Sequence, residues 1–247
     1  NKLLRMLGRP SRLREGLMFW ICRRFDWMIV RGDKAVEYVR RHRLARRVEV
    51  IPGGVDCGRF SPDASVPAYD LVSVGRLVAC KRFDRMLAIV VALAKVMPSV
   101  RVAVVGDGPL LSSMRAEAAS LGVGSNVEFL GQSNDVPSIL RRSRAFWLTS
   151  ESEGLSIAML EAMAAGLPAV APDVGDLGDV LEPGVTGLFI DPSAPVEAAG
   201  VIAGLLGDPS RLDRMARAAR QRVVEHAGIE SVAARWARVF GAVALNG

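Results

Sequence analysis

The sequence predicts an α/β fold, a doubly wound parallel sheet preceded by part of a second α/β unit. From about residue 67 onward, short β-branched runs alternate with amphipathic segments of helical period. Runs such as Val102 to Val105 are apolar throughout, as strands are when helices cover both faces of a parallel sheet. The composition, with 50% hydrophobic and 23% charged residues in 247, is typical of globular proteins.

The alternation assigns each segment in order. Strands are predicted at residues 70–74, 100–105, 126–130, 145–148, 169–171 and 188–190, and amphipathic segments between them at 82–95, 109–121, 136–141, 156–165 and 177–181. Three further helices are predicted at 194–206, 209–224 and 229–244. In such sheets ligands bind beyond the carboxyl ends of the strands, so the loops after each strand are where functional residues are expected.

The first fifty residues predict an incomplete α/β unit. They read as a helix, a strand at 27–30, a helix at 34–43 and a strand at 48–51, which are too few strands to stand alone. Residues 52–67 are rich in proline and glycine and predict a connection. We therefore expect a domain remnant at 1–51, a linker at 52–67, a sheet domain at 68–227 and a terminal helix at 228–247.

Charge is concentrated at the front of the chain. Residues 1–50 hold 14 Lys and Arg against 5 Asp and Glu, whereas the remainder has a net charge of −3. This basic segment, Lys2 to Arg47, is suited to an anionic lipid surface, or it forms solvated helix faces. Nucleic acid is disfavoured, because aromatic residues make up only 6% and no recognition motif accompanies the charge.

Several classes of protein are excluded by residue usage. Cys22, Cys57 and Cys80 form no C-x-x-C pair, which argues against a disulfide framework and a cysteine zinc site and fits a reducing compartment. His42 and His226 are too few for a histidine-rich metal site. Residues 154–172 carry a single charge, but they predict a buried helix and strand rather than a membrane span. The chain begins with Asn, so its natural start and any targeting signal are expected to be missing.

Two cations follow the first strand of the sheet domain. Gly75 and Arg76 come directly after it, and Lys81 lies five residues beyond Arg76. This spacing places two positive charges over the edge of the sheet, where a diphosphate would need them. Ordinary solvated surface residues are the alternative.

A glycine turn follows the second strand. Gly106 and Gly108 begin a G-x-G-x-x-G pattern, but Leu111 occupies the third glycine position, which disfavours NAD binding. The segment instead predicts a tight turn from strand to helix, with Pro109 as the first helical residue.

Two glutamates seven residues apart form the most informative pattern. Glu153 falls in the loop after the strand at 145–148, and Glu161 falls inside an otherwise apolar helix. Burying such a carboxylate is costly without partners, and sugar or ribose hydroxyls would be suitable ones. Gly154 allows close approach of the backbone to a phosphate, and the following helix start offers free amide donors.

Taken in order, these motifs resemble glycosyltransferase family four. The resemblance covers about residues 26–240 and rests on V-I-P-G-G-V-D with Phe60, V-G-R-L with Lys81, V-V-G-D-G-P-L, V-E-F-L-G, the E-x7-E block at 153–168 and P-G-V-T-G-L at 183–188. It implies a GT-B enzyme with two Rossmann-like domains, whose carboxyl-terminal domain holds a nucleotide-sugar donor. It also implies that the segment 229–244 is the terminal helix that packs back against the first domain.

The resemblance assigns roles to individual residues. Arg76 and Lys81 match the pair that binds the donor diphosphate, Glu153 the carboxylate beside the transferred sugar, and Glu161 the one that holds ribose hydroxyls. The backbone of Gly154, Leu155 and Ser156 matches the loop that meets donor oxygens, with Gly75, Gly106 and Gly108 in the neighbouring donor-binding turns. Retention of anomeric configuration without a divalent metal or other cofactor is implied, and no D-x-D triplet is present.

Two departures from the family pattern bear on function. Gly175-Asp176 stands where two glycines are common, so donor contacts there are expected to differ. Nearly all of the acceptor domain is missing, and His42 does not replace the histidine that the family carries near the reacting centre.

The expected function is therefore a fragment of a retaining glycosyltransferase, inactive alone, that uses a UDP- or GDP-sugar of hexose type and a glycan or lipid-linked acceptor. A nucleotide-sugar-binding module without activity is the main alternative. A two-carboxylate glycoside hydrolase is less favoured, because it does not need Arg76 and Lys81. A cytoplasmic location, with peripheral contact at the inner membrane face, is expected.

Overall fold

The chain divides into two units, Asn1–Pro52 and Gly53–Gly247, and the computed structural model describes residues 12–244. In the first unit, helix α1 (Arg12–Cys22) is followed by strand β1 (Trp27–Val30), helix α2 (Asp33–Arg41) and strand β2 (Arg47–Val50). The two strands pair in parallel, with Trp27 opposite Arg47 and Val30 opposite Val50. This β-α-β arrangement is the partial α/β unit that the sequence predicts. The first ten residues of the basic segment, 2–11, lie outside the described range.

The second unit is built on a six-stranded parallel sheet. Its strands are β3 (Tyr69–Val74), β4 (Val102–Val105), β5 (Val127–Gly131), β6 (Ser143–Trp147), β7 (Ala169–Ala171) and β8 (Gly187–Phe189), arranged in the order β5-β4-β3-β6-β7-β8. Chain order therefore reverses between β3 and β6. A doubly wound sheet has its ligand crevice at this reversal, beyond the carboxyl ends of the two strands.

Helices connect the strands and cover both faces of the sheet. They are α3 (Phe83–Val96), α4 (Leu111–Ser120), α5 (Val136–Arg141), α6 (Ile157–Ala164), α7 (Pro195–Leu206), α8 (Pro209–Ala227) and α9 (Ile229–Ala244). Two short 3₁₀ turns, Ala79–Lys81 and Leu177–Asp179, lie in the loops after β3 and β7. The architecture confirms the predicted doubly wound α/β fold.

Alternation of side chains along the strands produces two separate cores. Val72 and Phe146 point into a cluster with Met159 and Leu160 of α6, which also includes buried residues of α8. Their neighbours in the same strands, such as Leu71, Ala145 and Trp147, point to the other face and pack with α3 and α7. Both sets are almost fully excluded from solvent, which explains why the strands read as continuous apolar runs.

The segment predicted as a linker is packed into the second unit. The Val55 amide donates to the Ala227 carbonyl at 2.8 Å, and the Ile229 amide donates to the Val55 carbonyl at 3.0 Å. Val55 and Phe60 are buried in the same core cluster as α6. Apolar residues spaced between the prolines and glycines give this stretch a buried side, so it is fixed rather than a free tether.

Several predicted boundaries differ from the structure by one to three residues, and two of the differences change what a residue or segment was predicted to form. Helix α4 begins at Leu111, so Pro109 lies in the preceding turn and is not the first helical residue. The amphipathic segment predicted at 177–181 forms only the 3₁₀ turn Leu177–Asp179. Within the described chain, no helix combines the length and the apolar character needed to cross a bilayer.

Candidate functional site

The loops after β3 and β6 meet at the point where the sheet reverses its order. Strand β3 pairs in parallel with β6, with Leu71 opposite Ala145 and Val72 opposite Phe146. The chain leaves both strands at the same edge of the sheet, so the loop with Arg76 and Lys81 adjoins the loop with Glu153. Distant parts of the sequence are thereby brought to one edge.

The loop after β3 is anchored to the end of β6. The Thr149 hydroxyl donates to the carbonyl oxygens of Lys81 at 3.2 Å and Arg82 at 3.1 Å, and the Glu151 amide donates to the Cys80 carbonyl at 3.0 Å. Arg82 adopts a left-handed backbone conformation, with φ of 52°, where the 3₁₀ turn ends and α3 begins. These contacts fix the backbone on both sides of the Lys81 side chain.

Lys81 and Glu153 form an ion pair at this edge. The Lys81 ammonium donates to Glu153 Oε1 at 2.6 Å, a short charge-assisted hydrogen bond. The Glu153 side chain is only 6% exposed and that of Lys81 is 20% exposed. A nearly buried carboxylate is thus held beside a cation that still reaches solvent.

The remaining predicted cation is separate from this pair. Arg76 is exposed, and its side chain makes no hydrogen bond or ion pair with any residue that the structure describes. It lies in the same loop as Lys81, directly after Gly75. The structure thus joins Lys81 to Glu153 by contact and leaves the Arg76 guanidinium with its donors available.

The glycines after β3 and β4 allow two loops to touch through their backbones. A β-carbon on Gly106 would collide with the Gly75 carbonyl oxygen, and one on Gly108 would collide with the Leu77 carbonyl oxygen. The Gly75 amide donates to the Val105 carbonyl at 2.9 Å. The Lys81 ammonium lies over Gly75, 3.9 Å from where a β-carbon would stand. The Lys81 side chain therefore packs on the Gly75 backbone, which in turn is in contact with the turn at Gly106.

The loop after β6 leads directly into α6. Ser156 is the N-cap of this helix, and its hydroxyl accepts from the Met159 amide at 3.4 Å. Leu155 is buried, whereas Gly154 is exposed, and no atom outside its chain neighbours lies within 4 Å of where its β-carbon would stand. The exposed backbone before a capped helix start is the kind of position at which an anion can approach amide donors.

Glu161 lies one turn into α6, between buried neighbours. It is partly buried, and burial raises the pKa of its carboxyl above the ordinary value of 4.5, with the nearby Arg59 guanidinium opposing the shift. Its side chain forms no hydrogen bond within the described part of the chain. Among the described residues, Glu161 forms no hydrogen bond or ion pair with Lys81 or Glu153. Its carboxylate is therefore an acceptor with unused capacity.

Gly175 and Asp176, where the sequence differs from the family pattern, lie next to the loop that carries Glu153. Gly175 has a φ of +59°, and a β-carbon there would collide with the Glu153 carbonyl oxygen. Asp176 is at the N-cap position of the Leu177–Asp179 turn, but its side chain does not cap the turn. Its Oδ1 is buried, with no hydrogen-bond partner among the described residues. A carboxylate thus stands where the family pattern has a glycine.

Sequence reasoning missed the residues that hold the site together. Thr149 anchors the Lys81 loop, Arg59 lies near Glu161, and Arg220 of α8 donates to the carbonyl of Ala164, the last residue of α6. Thr149 could have been noticed as a polar residue directly after an apolar strand. Arg59 and Arg220 lie among many other arginines, and nothing in the sequence sets them apart.

Comparison with known proteins gives the family. The family model described as "Glycosyl transferases group 1" matches residues 59–222, more than half of the 247-residue chain. The match spans every predicted donor-site residue from Gly75 to Glu161.

Two curated relatives and one solved structure illustrate the similarity. The D-inositol 3-phosphate glycosyltransferase of Segniliparus rotundus is 33% identical over 199 residues, which cover 74% of this chain and 43% of the relative. The GDP-mannose-dependent alpha-(1-6)-phosphatidylinositol monomannoside mannosyltransferase of Mycobacterium tuberculosis is 30% identical over 213 residues, covering 78% of this chain and 55% of the relative. The structure of Anabaena HepE in complex with UDP superposes with a TM-score of 0.85 at 21% identity, covering 96% of this chain and 69% of HepE.

The sequence matches and the structural match all point to glycosyltransferases. The chain spans about half or less of the length of the curated relatives it matches. The similarity to HepE extends over nearly the whole of this chain, which includes both units. The chain belongs to the glycosyl transferases group 1 family and has the Rossmann-like architecture of GT-B glycosyltransferases.

Proposed function

We propose that the second unit binds a nucleotide-diphosphate sugar and is the donor half of a retaining glycosyltransferase. The observation that carries this proposal is the Lys81–Glu153 pair, held at 2.6 Å where the sheet reverses its order. A ligand crevice is expected at that position in a doubly wound sheet. A cation that is 20% exposed beside a carboxylate that is 6% exposed provides both a phosphate contact and a fixed acceptor for a sugar hydroxyl.

Each residue of the site has a role in this proposal. Lys81 and the exposed Arg76 bind the diphosphate and offset the negative charge that grows on the nucleotide as the bond to the sugar breaks. Glu153 stands beside the transferred sugar, and Glu161 accepts hydrogen bonds from the ribose hydroxyls. The amides of residues 154–156, ahead of α6, meet the donor oxygens.

Catalysis without a divalent metal is part of the proposal. Two cationic side chains in one loop supply the positive charge that a metal ion would otherwise bring to the diphosphate. Binding of the donor is therefore expected to be the same in EDTA and in Mg²⁺. A strict requirement for Mg²⁺ would contradict this part of the proposal.

The base of the donor is either uracil or guanine. HepE was solved with UDP, and the M. tuberculosis relative is described as GDP-mannose-dependent. Both nucleotides present the same diphosphate and ribose to Arg76, Lys81 and Glu161. These three residues thus support a UDP- or GDP-sugar of hexose type without distinguishing the two.

Calorimetric titration tests donor binding directly. The folded chain is titrated with UDP, GDP, UDP-glucose and GDP-mannose, with the Lys81→Met variant alongside. We expect one of the two nucleotide classes to bind and Lys81→Met to weaken it by at least tenfold, because a charge-assisted phosphate contact is lost. Absence of binding by all four ligands to the folded protein would refute the proposal.

Transfer to an acceptor is proposed for a protein with the full length of the curated relatives, of which this chain spans about half or less. The acceptor is a glycan or a lipid-linked molecule, and the present chain alone is expected to bind the donor without transferring sugar. The net charge of +9 in residues 1–50 supports contact with an anionic membrane face, and a cytoplasmic location is part of the proposal. Co-sedimentation with liposomes that does not depend on anionic lipid content would contradict the membrane contact.

A further inference from the structure

We infer that Arg59 is a further donor-binding residue, which recognises the ribose diol of the nucleotide together with Glu161. The inference rests on the proposed role of Glu161 and adds a residue from the segment that precedes the sheet. Three observations support it: a rigid turn below Arg59, a clamp that holds this turn against α6, and the unused hydrogen-bonding capacity of both side chains.

The backbone that carries Arg59 is held in a tight turn. Asp56 Oδ1 accepts from the amides of Gly58 at 3.0 Å and Arg59 at 2.9 Å, and the Phe60 amide donates to the Asp56 carbonyl at 2.9 Å. Phe60 is buried, and the Arg59 guanidinium carbon lies 5.5 Å from the centre of its ring. The backbone from which the Arg59 side chain extends is therefore fixed, which lowers the entropy lost by the backbone when this residue binds a ligand.

Arg220 fastens this turn to the helix that carries Glu161. Its guanidinium donates to the carbonyls of Phe60 at 3.0 Å and Cys57 at 3.3 Å, and also to the carbonyl of Ala164 at the end of α6. Ala164 follows Glu161 by three residues, so the two lie on neighbouring positions of one helix face. The turn at residues 56–60 is thereby held to the end of the helix that carries Glu161.

Arg59 and Glu161 are near each other without being paired. The Arg59 guanidinium lowers the pKa of the Glu161 carboxyl against the effect of burial. Arg59 is exposed, and within residues 12–244 neither its side chain nor that of Glu161 makes a hydrogen bond or an ion pair. The site thus offers an acceptor and a set of donors side by side.

This pairing matches the chemistry of a cis-diol. Each ribose hydroxyl donates one hydrogen bond and accepts others, so a carboxylate and a guanidinium can satisfy both functions of the same group. A site that binds a hydroxyl in this way discriminates against an analogue that lacks it, because the carboxylate and the guanidinium each lose a hydrogen-bond partner. Arg59 would thereby select ribonucleotides over 2′-deoxyribonucleotides.

The test compares calorimetric affinities for UDP, GDP, their 2′-deoxy forms and inorganic pyrophosphate. The variants are Arg59→Ala, Arg59→Lys and a matched control, Arg217→Ala, which removes an exposed arginine of α8. We expect Arg59→Ala to weaken the binding of the ribonucleoside diphosphate by about tenfold and to reduce its preference over the 2′-deoxy form. Pyrophosphate binding and the melting temperature should not change, and Arg217→Ala should behave as wild type. Arg59→Lys should restore only part of the affinity, because it lacks the planar donor pair.

Three results would overturn the inference. Unchanged nucleotide affinity in Arg59→Ala would show that the residue does not contact the ligand. An equal loss for nucleotide and pyrophosphate would show a general charge effect, and tighter nucleotide binding would show that Arg59 competes with the ligand for Glu161. In each case wild type still binds nucleotide, so the proposed function stands; if wild type binds none of the probes, the proposed function fails as well.

Discussion

The Lys81 ammonium lies 2.6 Å from Glu153 Oε1, although 72 residues separate the two in the chain. The first follows β3 and the second follows β6, and these strands are neighbours only because the sheet reverses its order between them. The pair therefore depends on the topology of the sheet and could not arise from either loop alone. The Glu153 side chain is almost fully buried, so we expect the ion pair to stabilise the fold in addition to its proposed role in donor binding.

Removing one member of this pair is expected to destabilise the protein. Lys81→Met leaves the Glu153 carboxylate, with a 6% exposed side chain, without its charged donor. We expect the free energy of unfolding to fall by about 1.5–3 kcal/mol, the range for hydrogen bonds to charged groups. Urea denaturation of Lys81→Met, Glu153→Gln and the double variant measures this.

The double variant provides the control for that prediction. If the two side chains interact directly, the loss in the double variant is smaller than the sum of the two single losses, by about 1 kcal/mol or more. Strictly additive losses would contradict a direct interaction. Arg82→Ala, which removes the more exposed ion pairs with Asp84 and Glu151, should lower stability by less than about 1 kcal/mol per pair.

The close approach of two glycine turns leads to a second prediction. A β-carbon at position 106 would collide with the Gly75 carbonyl oxygen, and the backbone there has a φ of +137°. Gly106→Ala should lower the free energy of unfolding by about 3 kcal/mol, since both strain and a backbone clash oppose it. It should also abolish nucleotide binding, because the Gly75 backbone on which Lys81 packs would have to move.

A second glycine provides the matched control. Gly204 is an exposed residue of α7 with no atom near its missing β-carbon. Gly204→Ala should raise stability by about 0.5–1 kcal/mol through its higher helix propensity. Thermal melts of Gly106→Ala and Gly204→Ala measure both changes in stability. A Gly106→Ala protein that is as stable as wild type and binds nucleotide would disprove the close packing of the two turns.

The sheet was predictable from the sequence, because local patterns determine it. Continuous apolar runs such as Val102–Val105 mark buried parallel strands, and the loops after them carry Lys81 and Glu153 as the pattern predicts. The start of α4 at Leu111 was missed, because Pro109 is equally suited to the turn that precedes a helix.

The supports of the site were not predictable. Arg220 contacts Ala164 and Cys57, which lie 56 and 163 residues away in the chain. Such contacts depend on how α6, α8 and the 53–67 segment pack together, and a single sequence carries no local signal for them. The same holds for Arg59, whose position beside Glu161 follows from this packing.

The Arg220 clamp gives a third prediction. Its guanidinium donates to three backbone carbonyls, on Cys57, Phe60 and Ala164, from a partly buried position. Arg220→Met keeps most of the volume but leaves these acceptors without their charged donor, so the free energy of unfolding should fall by about 3 kcal/mol. Arg220→Lys should recover part of the loss, and Arg217→Ala on the same helix should change it by less than about 0.5 kcal/mol. Chemical denaturation measures the free energy of unfolding of each variant. If Arg220→Met loses no more than Arg217→Ala, the Arg220 hydrogen bonds do not hold these segments together.

Glu161 gives a prediction of pH dependence. Burial raises the pKa of its carboxyl in the folded protein above the ordinary value of 4.5, so the folded state binds the proton more tightly than the unfolded state. This contribution to stability is fully present below pH 4.5 and is lost as the pH rises through the raised pKa of the folded state.

Glu161→Gln cannot ionise, so its stability relative to wild type should increase between pH 4 and pH 7 and then level off. Urea denaturation of both proteins at half-unit pH steps measures the difference, with Glu117→Gln on the exposed face of α4 as control. A difference between Glu161→Gln and wild type that stays constant with pH would contradict the raised pKa, and a decreasing one would show that the folded state favours the ionised carboxylate.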